Sequence, residues 1–214
     1  FLSQDGHIFT TNYDLLLYWV LMRNDIENAI DGFGRDAEET DEWVPEDQRQ
    51  FSELRWGKHK KNQTVHYLHG ALQLFDTGIE IIKEVYTSEH YLLDNIKARM
   101  EKKEYPIFVT AGNGFEKLSH IFHNKYLSYC YENLSSIGGS LICYGFGFGN
   151  YDEHIISAIN RAAKKRKDEN GKWHILNSIY IGVYSDADYK HIKSIEKKFK
   201  LPVRLFDAKT VNVW

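Results

Sequence analysis

Three short segments place polar or glycine residues where a β-rich run gives way to a helix or a turn. The first is Thr10-Thr11-Asn12-Tyr13-Asp14, the second His69-Gly70, and the third Gly145-Phe146-Gly147-Phe148-Gly149-Asn150. In open α/β sheets, ligands meet the chain beyond the carboxyl ends of the strands, which is where all three are expected to lie. Glycines in the third segment would let backbone N–H groups approach a phosphate or ribose, with a helix N-terminus favouring negative charge. The spacing is neither G-x-G-x-x-G nor the Walker A pattern. Each segment also has a purely structural reading. Asn and Asp cap helices, a strand-end histidine bonds to backbone, and a glycine-rich turn satisfies positive φ while its phenylalanines pack.

These segments depend on alternating elements. Short β-rich runs recur at 6–12, 64–69, 105–110, 140–148, 178–184 and 201–206. Helical spacing marks 13–28, with Leu15, Leu16, Trp19, Val20 and Ile26 on one face, and 88–103, with Tyr91, Leu92, Ile96 and Met100. Residues 115–134 read as two helical pieces, and 151–167 sets Ile155, Ile156, Ile159 and Ala163 together. Ser185-Asp186-Ala187-Asp188 is an N-cap signal for a helix over 185–198. The alternation predicts a Rossmann-like three-layer α/β domain with a mostly parallel sheet and helices on both faces. The polar stretch 31–61, ending in Lys58-His59-Lys60-Lys61, is expected to be an insertion over the sheet edge.

Composition narrows the function. The chain has 214 residues and 25.1 kDa, enough for one large domain. Hydrophobic residues make up 43%, with 14 Tyr, 12 Phe and 5 Trp, so a sizeable core can form. The net charge of -3 offers no molecule-wide basic field for nucleic acid. Lys164-Lys165-Arg166-Lys167 is read as a solvated helix end, favoured by the macrodipole. No apolar run reaches the roughly 18 residues of a membrane span, and a cytoplasmic protein without a membrane partner is expected. Cys130 and Cys143 are too few for a disulfide scaffold or a four-thiolate zinc site and read as buried free thiols. His7, His59, His66, His90, His120, His123 and His154 form no recognisable ligand motif, so no metal is expected. The chain opens with Phe1, not Met, and is expected to be the C-terminal portion of a longer protein.

Taken together, Thr-Thr-Asn-Tyr-Asp after one strand, Leu-His-Gly after another and Gly-Phe-Gly-Phe after a third resemble the sirtuin-like NAD-binding family. The likeness is to its bacterial SIR2-like branch, and most closely to the domain of unknown function DUF4917, through 9–19, 67–72, 109–131 and 139–158. The resemblance implies that Asn12 contacts the nicotinamide ribose and supports catalysis. It implies that Asp14 helps position the nicotinamide side and that His69 is the catalytic base near the ribose hydroxyls. Thr10, Thr11, Gly145, Phe146, Gly147, Phe148 and Asn150 would line the cofactor. Thr11 stands where sirtuins carry Gln.

Cleaving the N-glycosidic bond of NAD builds oxocarbenium-like charge on the ribose while nicotinamide leaves as a neutral base. An orienting amide, nearby negative potential and a neutral imidazole, whose ordinary pKa is near 6.5, suit that step. Two departures matter. Relatives carry a Gly-Ala-Gly phosphate loop upstream of the Thr-x-Asn-x-Asp motif, and deacylases hold a four-cysteine zinc ribbon. Protein deacetylation is therefore not expected, and 76–104 reads as a helical replacement for the ribbon. The branch implies hydrolysis of NAD in bacterial stress or phage defence, with a homo-oligomer or an attached domain as partner. The alternative is a non-catalytic nucleotide-binding or protein-interaction module.

Overall fold

The structure is a computed structural model that describes residues 2–38, 43–86, 90–110, 112–167, 171 and 173–211. In chain order it runs β1 (Ile8–Thr10), α1 (Leu16–Arg23), β2 (Phe33–Gly34), β3 (Leu54–Trp56), β4 (Val65–Tyr67), β5 (Gly70–Asp76), β6 (Ile81–Lys83), α2 (Leu92–Glu101) and β7 (Pro106–Phe108). It continues with α3 (Gly114–His123), α4 (Lys125–Leu134), β8 (Gly139–Cys143), α5 (Glu153–Ala162), β9 (Arg166–Lys167), β10 (Trp173–His174), β11 (Leu176–Val183), α6 (Asp186–Ile195) and β12 (Val203–Asp207). Two compact units divide the chain: Phe1–Thr110 with Asn124–Cys130, and Ala111–His123 with Tyr131–Trp214.

The first unit holds two sheets. Strands β1 and β4 form a parallel pair in the register Ile8↔Val65, Phe9↔His66 and Thr10↔Tyr67. A five-stranded sheet of order β2-β3-β6-β5-β7 is antiparallel throughout. Pro106 sits in its edge strand β7, where a missing N–H donor costs the ladder least. Leu15 and Tyr18 of the α1 segment pack with Phe75, Ile82, Leu92 and Ile96 into a core cluster. Arg99 on α2 lies over the Phe75 ring at 5.3 Å and pairs with Glu84, Glu53 and Glu104.

The second unit is built on a parallel sheet of order β12-β11-β8. Helix α5 buries Ile155, Ile156, Ile159 and Ala162, and β11 buries Leu176, Ile179 and Ile181. A capping box opens α6: Ser185 Oγ accepts from Asp188 N, and the Asp188 carboxylate accepts from Ser185 N. Strands β9 and β10 form a separate antiparallel ribbon.

The mixed α/β class holds, but the mostly parallel sheet is corrected, because the largest sheet is antiparallel. Its strands β2, β3 and β6 span only two or three residues, too short for an apolar period to emerge from sequence. The 76–104 segment is likewise not simply helical, since β6 precedes α2. Residues 87–89 of that segment, including the start of the helix expected at 88–103, lie outside the described residues, as do residues 39–42 of the 31–61 insertion. That insertion contributes β2 and β3, with β2 at the sheet edge.

Two apolar or charged faces also differ from expectation. Of the apolar face expected over 13–28, Leu15 is buried, joined by Tyr18, whereas Leu16, Trp19, Val20 and Ile26 stand in solvent. Helix α5 stops at Ala162, so Arg166 and Lys167 form a strand instead of a helix end. Four adjacent like charges repel on one helix turn, and pairing with Trp173 and His174 offers Arg166 and Lys167 a ladder.

Candidate functional site

Parallel pairing of β1 and β4 determines how the first unit presents its polar segments. Because Thr10 lies opposite Tyr67, residues 11–14 and 68–69 leave the same carboxyl edge of adjacent strands, which are about 4.8 Å apart in any sheet. Two backbone bonds bind the loops together: Leu68 N donates to Thr10 O at 2.8 Å, and Leu72 N donates to Tyr13 O at 2.9 Å. Asn12, Asp14 and His69 are thereby gathered at one edge.

Their local chemistry differs. Thr10 Oγ1 accepts from Asn12 N at 3.1 Å, a tight turn that leaves the Asn12 side chain exposed. Thr11 is half-buried beside it. Asp14 Oδ1 accepts from Leu16 N at 2.8 Å, tying the carboxylate to the start of α1. Asp14 thus serves the helix, and its second oxygen remains for other work. His69 is 5% exposed, and its carbonyl accepts from Val109 N at 3.0 Å.

Gly70 explains the residue after the histidine. The chain turns there from the parallel pair into the antiparallel sheet, with φ at +84°. A Cβ at this position would stand 1.8 Å from Ile107 O. Only glycine fits.

The third segment belongs to the second unit and follows β8. Gly145 has φ +67° and Phe148, unusually for a non-glycine, φ +49°. Phe148 is buried, with Phe146 at 4.6 Å and Phe199 at 5.3 Å between ring centroids. His191 Nε2 lies 3.1 Å from Phe148 O and holds the strained residue from α6. Sequence reading missed His191. Gly147 has no such structural demand: its φ is ordinary, and a Cβ there would meet nothing within 4 Å. Open backbone of this kind permits close approach by a ligand. Asn150 is exposed, and beyond it Asp152 N donates to Gly149 O at 2.9 Å while Lys117 Nζ donates to Asp152 Oδ1 at 2.9 Å.

Two further polar features of the first unit escaped sequence reading. Gln73 on β5 is wholly buried, its amide N and O meet no hydrogen-bond criterion among the described residues, and the Tyr67 hydroxyl is its polar neighbour. Period-2 patterning had no means of separating such an amide from the apolar strand around it. The second feature is a chain through Gln63. Trp56 Nε1 donates to Gln63 Oε1 at 2.9 Å and Gln63 Nε2 donates to Val65 O at 2.9 Å, which fixes the amide's orientation. Gln63 Nε2 lies 3.3 Å from His66 Nδ1, and His66 Nε2 lies 3.2 Å from His7 Nδ1, so the two imidazoles and the amide form one hydrogen-bonded chain. Burial holds His66 down to about 3, so it stays neutral, and pushes the Cys130 and Cys143 thiols up to about 12. Both cysteines are free, Cys130 buried and Cys143 half-buried.

The family model of the domain of unknown function DUF4917 matches residues 1–214, and the chain belongs to that family. Nothing matches among curated proteins or among solved structures.

Proposed function

We propose that this DUF4917 domain is a SIR2-like nucleotide-binding domain that hydrolyses NAD at the nicotinamide–ribose bond. The observation that carries the reading is the β1–β4 register, which delivers Asn12, Asp14 and His69 to one strand edge. In this reading the two parallel sheets belong to a Rossmann-like architecture. Asn12 orients the ribose, Asp14 supplies negative potential, and His69 takes a proton as water replaces nicotinamide. In the second unit, open backbone at Gly145 and Gly147 suits a phosphate or ribose. The bacterial setting in stress or phage defence remains part of the proposal, as does a cytoplasmic location.

The test uses the natural full-length protein. NAD or ADP-ribose is expected to raise its melting temperature by mass action, and nicotinamide is expected to accumulate. Asn12→Ala and His69→Ala should each cut nicotinamide release by roughly 100-fold, the scale of losing a positioned acid–base group, with melting little changed for the exposed Asn12 and lowered for the buried His69. A thermal shift without turnover, unchanged by His69→Ala, would replace hydrolysis by nucleotide binding alone. No shift and no release would overturn both.

A further inference from the structure

The ribbon β9–β10 combines features that the NAD reading leaves unused. Trp173 pairs opposite Lys167, and a strand's two-residue period brings Lys165 to the same face. Their ammonium groups lie 4.4 Å (Lys165) and 5.0 Å (Lys167) from the Trp173 ring centroid. Trp173 as a residue is 53% exposed, a large apolar side chain to leave in water.

Basic side chains cluster beside that ring. Lys164, Lys165, Arg166 and Lys167 form no ion pair among the described residues, although eleven pairs occur elsewhere. Glu132, a carboxylate whose charge reaches Arg166, is engaged by both terminal nitrogens of Arg161 at 3.0 and 3.1 Å. Arg166 Nη2 donates to Arg161 O at 3.0 Å, which adds a second guanidinium to the same corner. Across 164–173 the sequence has five basic and two acidic side chains; Asp168, Glu169 and Lys172 among them lie outside the described residues.

A half-exposed aromatic ring between lysines on a two-stranded ribbon matches one ligand chemistry: stacked base and phosphate from the same strand. We propose that the β9–β10 ribbon docks single-stranded nucleic acid, Trp173 stacking a base and Lys164, Lys165 and Lys167 contacting the flanking phosphates. A duplex hides its base faces and leaves the ring without a partner. The net charge of -3 limits the field to this ribbon, so the site spans a few nucleotides and shows little sequence preference.

Fluorescence anisotropy of a labelled oligothymidine, titrated with the full 214-residue chain, tests this. Binding is expected to weaken with salt on a log–log slope of about −2, as three phosphate contacts dictate. Trp173→Ala should weaken it about 10-fold and Trp173→Phe far less, both with unchanged melting curves. Lys165→Gln with Lys167→Gln should reduce the slope by about 1. Inorganic polyphosphate bound as well as the oligonucleotide, with Trp173→Ala without effect on either, would overturn the proposal. So would capture by phosphatidylserine vesicles with no oligonucleotide binding.

Discussion

A methyl group on Gly70 would press on the Ile107 carbonyl oxygen at 1.8 Å, whereas one on Gly147 would meet nothing within 4 Å. The two glycines therefore serve different ends, and substitution separates them. Gly70→Ala combines a positive-φ cost of about 1 kcal/mol with a backbone clash, and a total near 3 kcal/mol would lower the melting temperature by about 10 °C. Gly147→Ala should leave melting within about 2 °C and instead reduce any thermal shift produced by NAD, because the added methyl occupies the open backbone. Melting curves of both variants with and without NAD check this. Equal destabilisation by the two would show that the loop glycine is structural. Phe148 makes the complementary point: its φ of +49° is tolerated because the ring is buried and His191 holds its carbonyl.

Among the elements, α1 shows how an amphipathic pattern can be read on the wrong face. Leu15, Leu16, Trp19 and Val20 are spaced for a core stripe, yet of these only Leu15 reaches, together with Tyr18, the cluster with Phe75, Ile82, Leu92 and Ile96. Leu15→Ala should cost about 2–4 kcal/mol through the lost methyl groups and the cavity left behind. Leu16→Ala removes similar chemistry from solvent and should change stability by less than about 0.5 kcal/mol. Denaturant midpoints of the pair decide the matter; equal losses would mean that the outer stripe is covered. The strand β5 teaches a related lesson. It begins at the corner residue Gly70 and carries buried residues on both faces, so no alternation announces it.

Across the whole molecule, the buried histidines tie stability to pH. His66 is held down to about 3 and His154 to about 4, both chiefly by burial, against an ordinary value of 6.5. Between those values and 6.5 the unfolded chain binds protons that the folded chain refuses, so stability rises with pH there and falls on acidification. By pH 5 each such histidine withdraws up to about 2 kcal/mol. Asp36 and Asp188 sit below their usual range through bonds to Lys58 and Ser185, and their contributions vanish only as pH drops below about 3.8. The interval from pH 7 to 5 therefore isolates the histidines. The denaturant midpoint should fall across it, and His66→Phe should flatten the fall; a midpoint independent of pH would refute the assignment. Among the described residues, no helix is long and apolar enough to cross a membrane.

Most of this architecture was legible where a run of residues is uniform. The strands β1, β4, β7, β8, β11 and β12 and the buried face of α5 announce themselves through continuous or periodic apolarity, although burial follows it fully only in β4 and β8 leaves Ile142 exposed. The three candidate segments were legible for the same reason: glycine, asparagine and histidine stand out at the ends of such runs. Tertiary structure alone decided the rest. The partner of a strand, and its direction, depends on contacts distant in sequence, so the antiparallel sheet of β2, β3, β5, β6 and β7 had no local signature. The need for glycine at position 70 comes from Ile107, which is 37 residues away. The neutral state of His66 comes chiefly from its burial, with His7 beside it acting in the same direction, and the charged ribbon exists because Trp173 returns to pair with Lys167. Local propensity sets what a segment can become; the neighbours that bury it determine which outcome has the lowest free energy.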